Sequence, residues 1–235
     1  MRVAILVAAA SGFYMLACGS PDPAPEPDVR DTVATGFGES PEPPGLRPAD
    51  ATSPAAPVCA FQEEDRVTFE IVEGISNPRC ARALQGQGLA LTNGTGRRVS
   101  FDLGGGPVAI APRATWSLDQ PVGRWLAPGV HRIAMAVYAG SGPELWVQDS
   151  SVVRIEGEVV ETFVSARAIL VETKAGRRNV ALDGETRLFD GGGAPSSPAD
   201  FSLLLEPGTG VRIIADMESA DTGRALEIRV PRGDG

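Results

Sequence analysis

The sequence predicts an all-β protein in which two small β-rich units follow an N-terminal signal peptide and a disordered tether. From Val58 onward, short apolar segments alternate with glycine, proline and asparagine signals about every ten residues, as in sandwiches and barrels. No stretch repeats apolar residues with a helical period. The predicted segments are a signal peptide at 1–17, a tether at 18–57, a β-sandwich at 58–149 and a small barrel at 150–235.

The chain begins with the parts of a signal peptide. Arg2 supplies a positive charge, residues 3–10 are unbroken apolar sequence, and residues 15–18 end the segment with small residues before a cysteine. The apolar run is shorter than the roughly 20 residues that a membrane-spanning helix needs. A proline-rich acidic stretch follows it instead of a stop-transfer pattern. We therefore predict a removable segment and not an anchor helix.

The end of this segment resembles the lipobox of bacterial lipoproteins in the sequence Met15-Leu16-Ala17-Cys18. The resemblance implies that Cys18 carries a diacylglycerol thioether and fatty acyl chains such as palmitate, becomes the first mature residue and attaches the chain to a membrane. Lipoboxes prefer leucine and a small residue where this chain has Met15 and Leu16. The alternative is ordinary secretion with cleavage after Ala17, which leaves a free thiol. Gly19, where inner-membrane lipoproteins of enteric bacteria carry aspartate, favours the outer membrane, facing the periplasm.

The cysteine count supports lipidation. The chain has three cysteines, and an odd thiol is a liability in an oxidising compartment. Lipidation of Cys18 leaves Cys59 and Cys80 as an even pair, which we predict to form a disulfide joining the first strand of the sandwich to the strand after it. Closing this loop is expected to stabilise the fold by about 3 kcal/mol through chain entropy. No zinc site is expected, since two thiols without a neighbouring histidine cannot complete a tetrahedral set.

The tether at 18–57 is predicted from composition and charge. Residues 19–57 contain two arginines against seven acidic residues, a net charge of −5. Such a stretch buries too little apolar surface to offset its ordering entropy, and self-repulsion keeps it partly extended. It therefore suits a spacer that holds folded units away from a lipid surface.

The sandwich is predicted from apolar segments separated by turn signals. Residues 67–72 alternate as a strand, and residues 93–96, with the sequence Asn-Gly-Thr-Gly, predict a hairpin between strands 89–91 and 99–103. This pattern resembles an immunoglobulin-like or cupredoxin-like sandwich. Further strands are predicted at 108–110, 115–118, 130–138 and 145–147.

The cupredoxin resemblance does not extend to copper ligands. It depends on residues 88–93 and 123–131, but a blue-copper site needs two histidines and a cysteine close together. Arg97 and Arg98 occupy the neighbourhood of the first histidine, and the chain has one histidine, His131. We therefore expect no metal site, and a structural or surface role for His131.

The second unit resembles a family of OB-like barrel domains of uncharacterised function that occurs in bacterial envelope proteins. The resemblance is carried by glycine and apolar spacing in residues 156–159, the hairpin 169–180, residues 182–186 and residues 207–212, with a last strand at 226–230. A strand is also predicted at 201–205. The resemblance implies a small closed barrel, which hides its strand edges, and it implies no activity.

Nucleic acid is not an expected ligand of this barrel. Single-strand binding needs a basic groove with stacking aromatics, whereas residues 152–235 contain ten Lys and Arg against fourteen Asp and Glu. The aromatic residues Phe163 and Phe201 lie in apolar contexts that favour the core.

The expected function is non-catalytic: a scaffold or binding module of the cell envelope that meets an envelope protein or a glycan. The sequence has no G-x-S-x-G, H-E-x-x-H or phosphate-loop motif, so no catalytic residue, metal or cofactor is predicted. The alternative is a carbohydrate or peptidoglycan-fragment binder whose ligand surface includes Trp116, Trp125, Arg97 and Arg98. Core positions for the tryptophans and solvated turns for the arginines are the other interpretation, and Trp146 is expected in the core.

Overall fold

The computed structural model describes residues 46–118, 120–139, 142–197 and 201–231, and these residues form mainly β-strands, which confirms the all-β prediction. The first half also contains short 3₁₀ turns at Val122–Arg124 and Ala136–Tyr138. Its strands are β1 Ala60–Phe61, β2 Arg66–Ile71, β3 Cys80–Ala83, β4 Gly88–Asn93, β5 Val99–Asp102, β6 Val108–Ile110, β7 Thr115–Leu118, β8 Gly129–Arg132, β9 Ala134–Met135 and β10 Glu144–Val147.

Small sheets enclose the core of the first half. One sheet has the order β1-β3-β10-β8, and two three-stranded sheets have the orders β2-β4-β7 and β6-β5-β9. Strand β2 shows why these segments form sheet: Val67, Phe69 and Ile71 are fully buried while the residues between them are exposed, which is the period-2 pattern of a half-buried strand. Their side chains pack in one cluster with Leu89, Leu91 and other apolar residues of the remaining sheets.

The predicted hairpin at residues 93–96 is wrong. Strand β4 pairs with β2 in parallel and with β7 antiparallel, whereas β5 pairs with β6 and β9 in another sheet. Asn93 is fully buried, and its Nδ2 donates to the carbonyl oxygens of Arg97, Ile110 and Ala111. Asn93 and Gly94 therefore begin a connection between two sheets and not a tight turn. The side-chain amide of Asn93 stabilises this connection because it satisfies backbone carbonyls of other segments.

The second half closes into a barrel, as predicted. The elements are β11 Val152–Phe163, β12 Ala168–Thr173, β13 Gly176–Ala181, β14 Arg187–Phe189, β15 Pro195–Ser196, the helical turn α1 Phe201–Leu204, β16 Gly210–Met217 and β17 Thr222–Arg229. The sheet runs β13-β12-β11-β16-β17, and β17 pairs in parallel with β13 to close the ring. Ile155, Ile213, Ile228 and Leu188 lie in register and fill its core.

Two predicted strands are not continuous strands. Residues 201–205 begin with α1, in which the Leu205 amide donates to the Phe201 carbonyl at 2.9 Å and both side chains are buried in the barrel core. Short apolar runs do not distinguish a strand from a helical turn. Residues 130–138 divide among β8, β9 and a 3₁₀ turn, because β8 pairs with β10 and β9 with β5.

The predicted Cys59–Cys80 disulfide is confirmed. It ties the residue before β1 to the first residue of β3, and these strands pair directly in parallel. The sequence analysis predicted that the disulfide joins the first strand to the strand that follows it along the chain. That strand is β2, which belongs to another sheet. Both cysteines are buried and pack with Ala56 and Trp146.

Residues 46–57, which the composition assigns to the tether, lie against the four-stranded sheet. Ala51 pairs with Val130 of β8, and the Glu144 carboxylate accepts the amide hydrogens of Ala55 and Ala56 at 2.9 and 3.0 Å. Asp50 accepts the Arg132 amide at 2.7 Å. The prediction of disorder is wrong for these residues. It depended on composition, which contains no information about the hydrogen-bonding partners that β8 and β10 provide. Residues 18–45 lie outside the described residues. We call residues 46–57 the strap.

His131 is a fully buried histidine of β8 on the core side of the sheet. Its Nε2 donates to the Ala127 carbonyl at 2.8 Å, while its buried Nδ1 has no hydrogen-bond partner among the described residues. Burial, followed by the positive charge of Arg47, lowers the pKa of His131, and this outweighs the Ala127 carbonyl and Asp50, which act in the opposite direction. The ring is therefore a neutral structural group.

The burial of His131 makes the free energy of unfolding depend on pH. Because the folded chain holds His131 neutral below the ordinary histidine pKa of 6.5, the unfolded chain takes up the proton first. The free energy of unfolding should fall as the pH drops below about 6.5. A His131→Gln variant, which keeps a donor for the Ala127 carbonyl, should show a flatter dependence in urea unfolding. A histidine signal that titrates at or above its ordinary pKa in nuclear magnetic resonance spectra would contradict this.

The disulfide should contribute about 3 kcal/mol to the free energy of unfolding, because it closes a loop with a sequence separation of 21 residues. Urea unfolding of the oxidised and reduced protein, followed by tryptophan fluorescence, measures this difference. The Cys59→Ala/Cys80→Ala variant serves as the control, since reductant should leave its midpoint unchanged. Equal midpoints for the oxidised and reduced protein would contradict the prediction.

Candidate functional site

The two halves meet at an apolar contact between β1 and the outer wall of the barrel. Phe61, Leu84 and Ile214 form a buried cluster, and Val152 and Leu226 pack against it. Along β16 the core side chains alternate with outward ones, so Ile214 faces away from the barrel core and is buried by the first half. All described residues consequently belong to one compact unit, Pro43–Gly235.

Charged groups surround this contact. Glu63 pairs with Arg212 at 2.8 Å and with Arg229 at 3.0 Å, and Arg154 donates to the Gln62 carbonyl at 3.0 Å. Exposed pairs of this kind contribute about 1 kcal/mol or less each. Their directional contacts fix the orientation of the barrel while the apolar cluster supplies most of the stabilisation.

Glu227 is a buried carboxylate beside the same contact, with 2 % of its surface exposed. Arg187 and Arg229 both bind it, the latter through Nε at 2.7 Å. Neither arginine could be removed without leaving a buried charge poorly compensated. The alternation of residues 226–230 predicts only a strand, and nothing in the sequence distinguishes Glu227 from a surface acid.

Arg82 lies between the first half and the barrel. Its guanidinium stacks on the rings of Trp146, at 4.5 Å from the centroid, and Phe61, at 5.3 Å. Its Nε is buried and has no hydrogen-bond partner within the described ranges. Burial, and next the charge of Arg187, lowers the pKa of Arg82, and Glu227 partly offsets this.

The junction holds a cavity of about 20 Å³, lined by Phe61, Glu63, Arg154, Arg212, Ile214, Glu227 and Arg229. That volume admits about one water molecule. The junction is therefore a structural connection, and an organic ligand does not fit within it.

A larger cleft of about 460 Å³ lies between β5 and the β8–β9 segment. Cavities of about 300–1,000 Å³ are typical of small-molecule sites. Its walls come from residues 100–102 and 132–136, with Pro107 and Gly142. Asp102 is occupied in accepting the amide hydrogens of Gly104 and Gly106. The cleft is mainly apolar and brings together one arginine and one carboxylate, which suits binding.

The structure does not bring the four predicted ligand-surface residues together. The segment of Trp125 lies beside the Gly88 end of β4, because the Val122 amide donates to the Gln87 carbonyl. Arg97 and Arg98 are exposed and follow Asn93, at the other end of that strand, about 17 Å away by strand rise.

The three tryptophans are half-buried in separate places. Trp116 is the register partner of buried Leu91 and meets the Phe101 ring edge-on at 4.8 Å. The Nε1 of Trp125 donates to Gln120 at 3.3 Å, and its ring packs against the core. Trp146 packs on the disulfide and Arg82. They form no common stacking platform.

The structure adds Arg113 to the basic residues near Asn93. It is exposed and has φ of 61° in the turn of residues 111–114. Pro112 marks this turn in the sequence, but the position of Arg113 relative to Arg97 and Arg98 depends on the crossing that the sequence did not predict.

Two further observations concern the described residues only. No helix in these ranges is long and apolar enough to span a membrane. No group of three or more histidine, cysteine or acidic side chains within them is placed to hold a metal ion. Cys18, for which lipidation is predicted, lies outside these ranges.

Comparisons with known proteins give no family. No family model and no curated protein matches the chain. A CusF variant from Escherichia coli determined with Cu(II) is 11 % identical, aligns over 34 % of this chain and 90 % of its own, and has a TM-score of 0.25. The metal-binding domain of the Cu(I)-exporting P-type ATPase CopA from Streptococcus pneumoniae is 12 % identical over 39 % of this chain and 95 % of its own, with a TM-score of 0.30.

A third similar structure is the copper-containing nitrite reductase from Thermus scotoductus. It is 12 % identical over 36 % of this chain and 22 % of its own, and its TM-score is 0.29. Superpositions of this quality carry no argument about this chain's fold or chemistry.

Truncation at the junction should separate the unfolding of the two halves. Phe61→Ala removes the ring that covers Ile214 and should lower the free energy of unfolding by about 3–5 kcal/mol. Calorimetry should then show two transitions in place of one. Glu63→Gln, the matched control, removes only exposed ion pairs and should cost less than about 1 kcal/mol. A single transition at an unchanged midpoint in Phe61→Ala would contradict a coupling role for this contact.

Proposed function

We propose that the protein is a non-catalytic scaffold or binding module of the bacterial cell envelope, held to a membrane by lipid on Cys18. The observation that supports this proposal is the junction of Phe61, Leu84 and Ile214, with its surrounding ion pairs. It fixes two β-rich bodies in one orientation, which is what a module needs in order to present two surfaces to one partner.

The strap supports a tethered arrangement. It is clamped by Glu144 and by β8, so the N-terminal end of the described residues is held at a fixed place. A force applied N-terminal to the strap would act on a disulfide-bonded sheet, since only Val58 separates the strap from Cys59. The proposed location is the outer membrane, with the folded part facing the periplasm.

A carbohydrate or peptidoglycan-fragment ligand is the second candidate, and the cleft beside β5 is the observation that favours it. The cleft has the volume of a small ligand and includes the polar side chains of Ser100, Asp102 and Arg132. The tryptophans do not favour it, because they are half-buried and share no surface. The proposed partner is therefore an envelope protein first and a glycan second.

The anchor is tested by the intact mass of the protein from membrane fractions. We expect a chain that starts at Cys18 and is heavier by acyl groups, and a Cys18→Ser variant that leaves the membrane fraction. A soluble chain without lipid would refute the anchor.

The scaffold role is tested by crosslinking in intact cells. We expect one adduct of discrete mass with the native chain, loss of that adduct with Phe61→Ala, and retention with Glu172→Gln, which removes only the exposed ion pair with Arg177. Phe61→Ala must remain lipidated and folded for this comparison, and Leu84→Ala replaces it if it does not. Absence of an adduct, together with quenching of tryptophan fluorescence by soluble glycans, would replace the scaffold with the carbohydrate alternative.

A further inference from the structure

Arg113 occupies a backbone conformation that arginine rarely adopts. It follows Pro112 in a turn closed by the Ala114 amide and the Ala111 carbonyl at 3.2 Å, and its φ is 61°. A turn with proline second and a positive φ third is type II, where glycine or asparagine is usual. A left-handed arginine costs of order 1 kcal/mol. The side chain of Arg113 is exposed, so its burial does not offset this conformational free energy.

Asn93 brings this turn beside the loop of Arg97 and Arg98. Its single Nδ2 donates to the carbonyl oxygens of Arg97 at 2.8 Å and Ala111 at 3.0 Å, so these two oxygens lie within about 6 Å of each other. Thr95 reinforces the loop, because its hydroxyl contacts both Asn93 Oδ1 and the Arg97 carbonyl. The two loops are therefore held together by partly buried hydrogen bonds from one buried asparagine.

The three arginines are not neutralised by the described part of the chain. Arg97, Arg98 and Arg113 are exposed and form no ion pair with any described residue. Among the other exposed arginines, Arg177 and Arg212 pair with acids, whereas Arg79, Arg124 and Arg167 form no ion pair with a described residue either. One nearby acid is Glu70, whose carboxylate lies beside Gly94. This end of the sandwich is thus locally positive on a chain of net charge −9.

We propose that Arg97, Arg98 and Arg113 form a binding site for a phosphate group. Guanidinium groups donate paired hydrogen bonds to phosphate oxygens. A phosphate offers three acceptor oxygens and up to two negative charges, more than the two oxygens and single charge of a carboxylate. This proposal identifies a ligand for the binding module proposed above, and it rests on that proposed function. The phosphate could belong to a soluble ester or to a lipid headgroup, which share this chemistry.

The test uses the full chain carrying Cys18→Ser, so that a lipid on Cys18 does not contribute to the binding that is measured. Glycerol phosphate is titrated by calorimetry, and vesicles of phosphatidylglycerol are compared with vesicles of phosphatidylcholine by sedimentation. Binding to glycerol phosphate assigns a discrete phosphate site. Binding to phosphatidylglycerol vesicles alone assigns a headgroup site on an anionic membrane. The proposal is overturned if the protein binds neither glycerol phosphate nor phosphatidylglycerol vesicles, or if it binds both kinds of vesicle equally. Neither result bears on the scaffold role, which the crosslinking experiment tests separately.

Variants show whether these arginines carry the binding. Arg97→Gln/Arg98→Gln should weaken it about 25-fold, at about fivefold for each charge. Arg113→Gly should weaken it about fivefold and also raise the unfolding midpoint, since glycine adopts the positive φ without cost. The matched control is Arg177→Gln/Arg178→Gln on the barrel hairpin, which should bind as the parent does. Equal losses in the control, or unchanged binding in Arg113→Gly, would overturn the assignment.

Discussion

The contact of Phe61 and Leu84 with Ile214 is the constraint on which the arrangement of the described residues depends. An outward-facing isoleucine on a barrel wall would lie in water if the barrel stood alone. Covering it removes apolar surface from both halves. The ion pairs of Glu63 then select one orientation, because two arginines from adjacent strands converge on a single carboxylate.

The same four-stranded sheet also organises the N-terminal side. Register places Phe61, Arg82 and Trp146 in one row on its outer face, with Cys80 and Glu144 in the neighbouring row. The barrel covers Phe61 at one side, and the strap and the disulfide cover Trp146 and Glu144 at the other. Both the junction and the anchoring of the strap therefore use one face of one sheet.

The sequence determined what depends on local pattern. Period-2 alternation predicted strands such as β2 because each buried side chain there faces a single core. Turn signals predicted the hairpin of β12 and β13, whose strands are neighbours in both sequence and space. Cysteine parity predicted the disulfide. The lipid on Cys18 stays a prediction from the lipobox resemblance, and so does the envelope function that follows from it.

Tertiary structure decided which strands meet and hence every site. Asn93-Gly94 has the local signal of a hairpin, but its amide is drawn to carbonyls more than fifteen residues away, at Ile110 and Ala111. Glu227 alternates like a surface acid yet is buried between two arginines. Composition and spacing are local properties, whereas burial, charge pairing and the grouping of Arg113 with Arg97 arise only where distant segments pack. The sequence by itself therefore determined the fold class and the disulfide, and packing alone determined the junction, the strap and the arginine site.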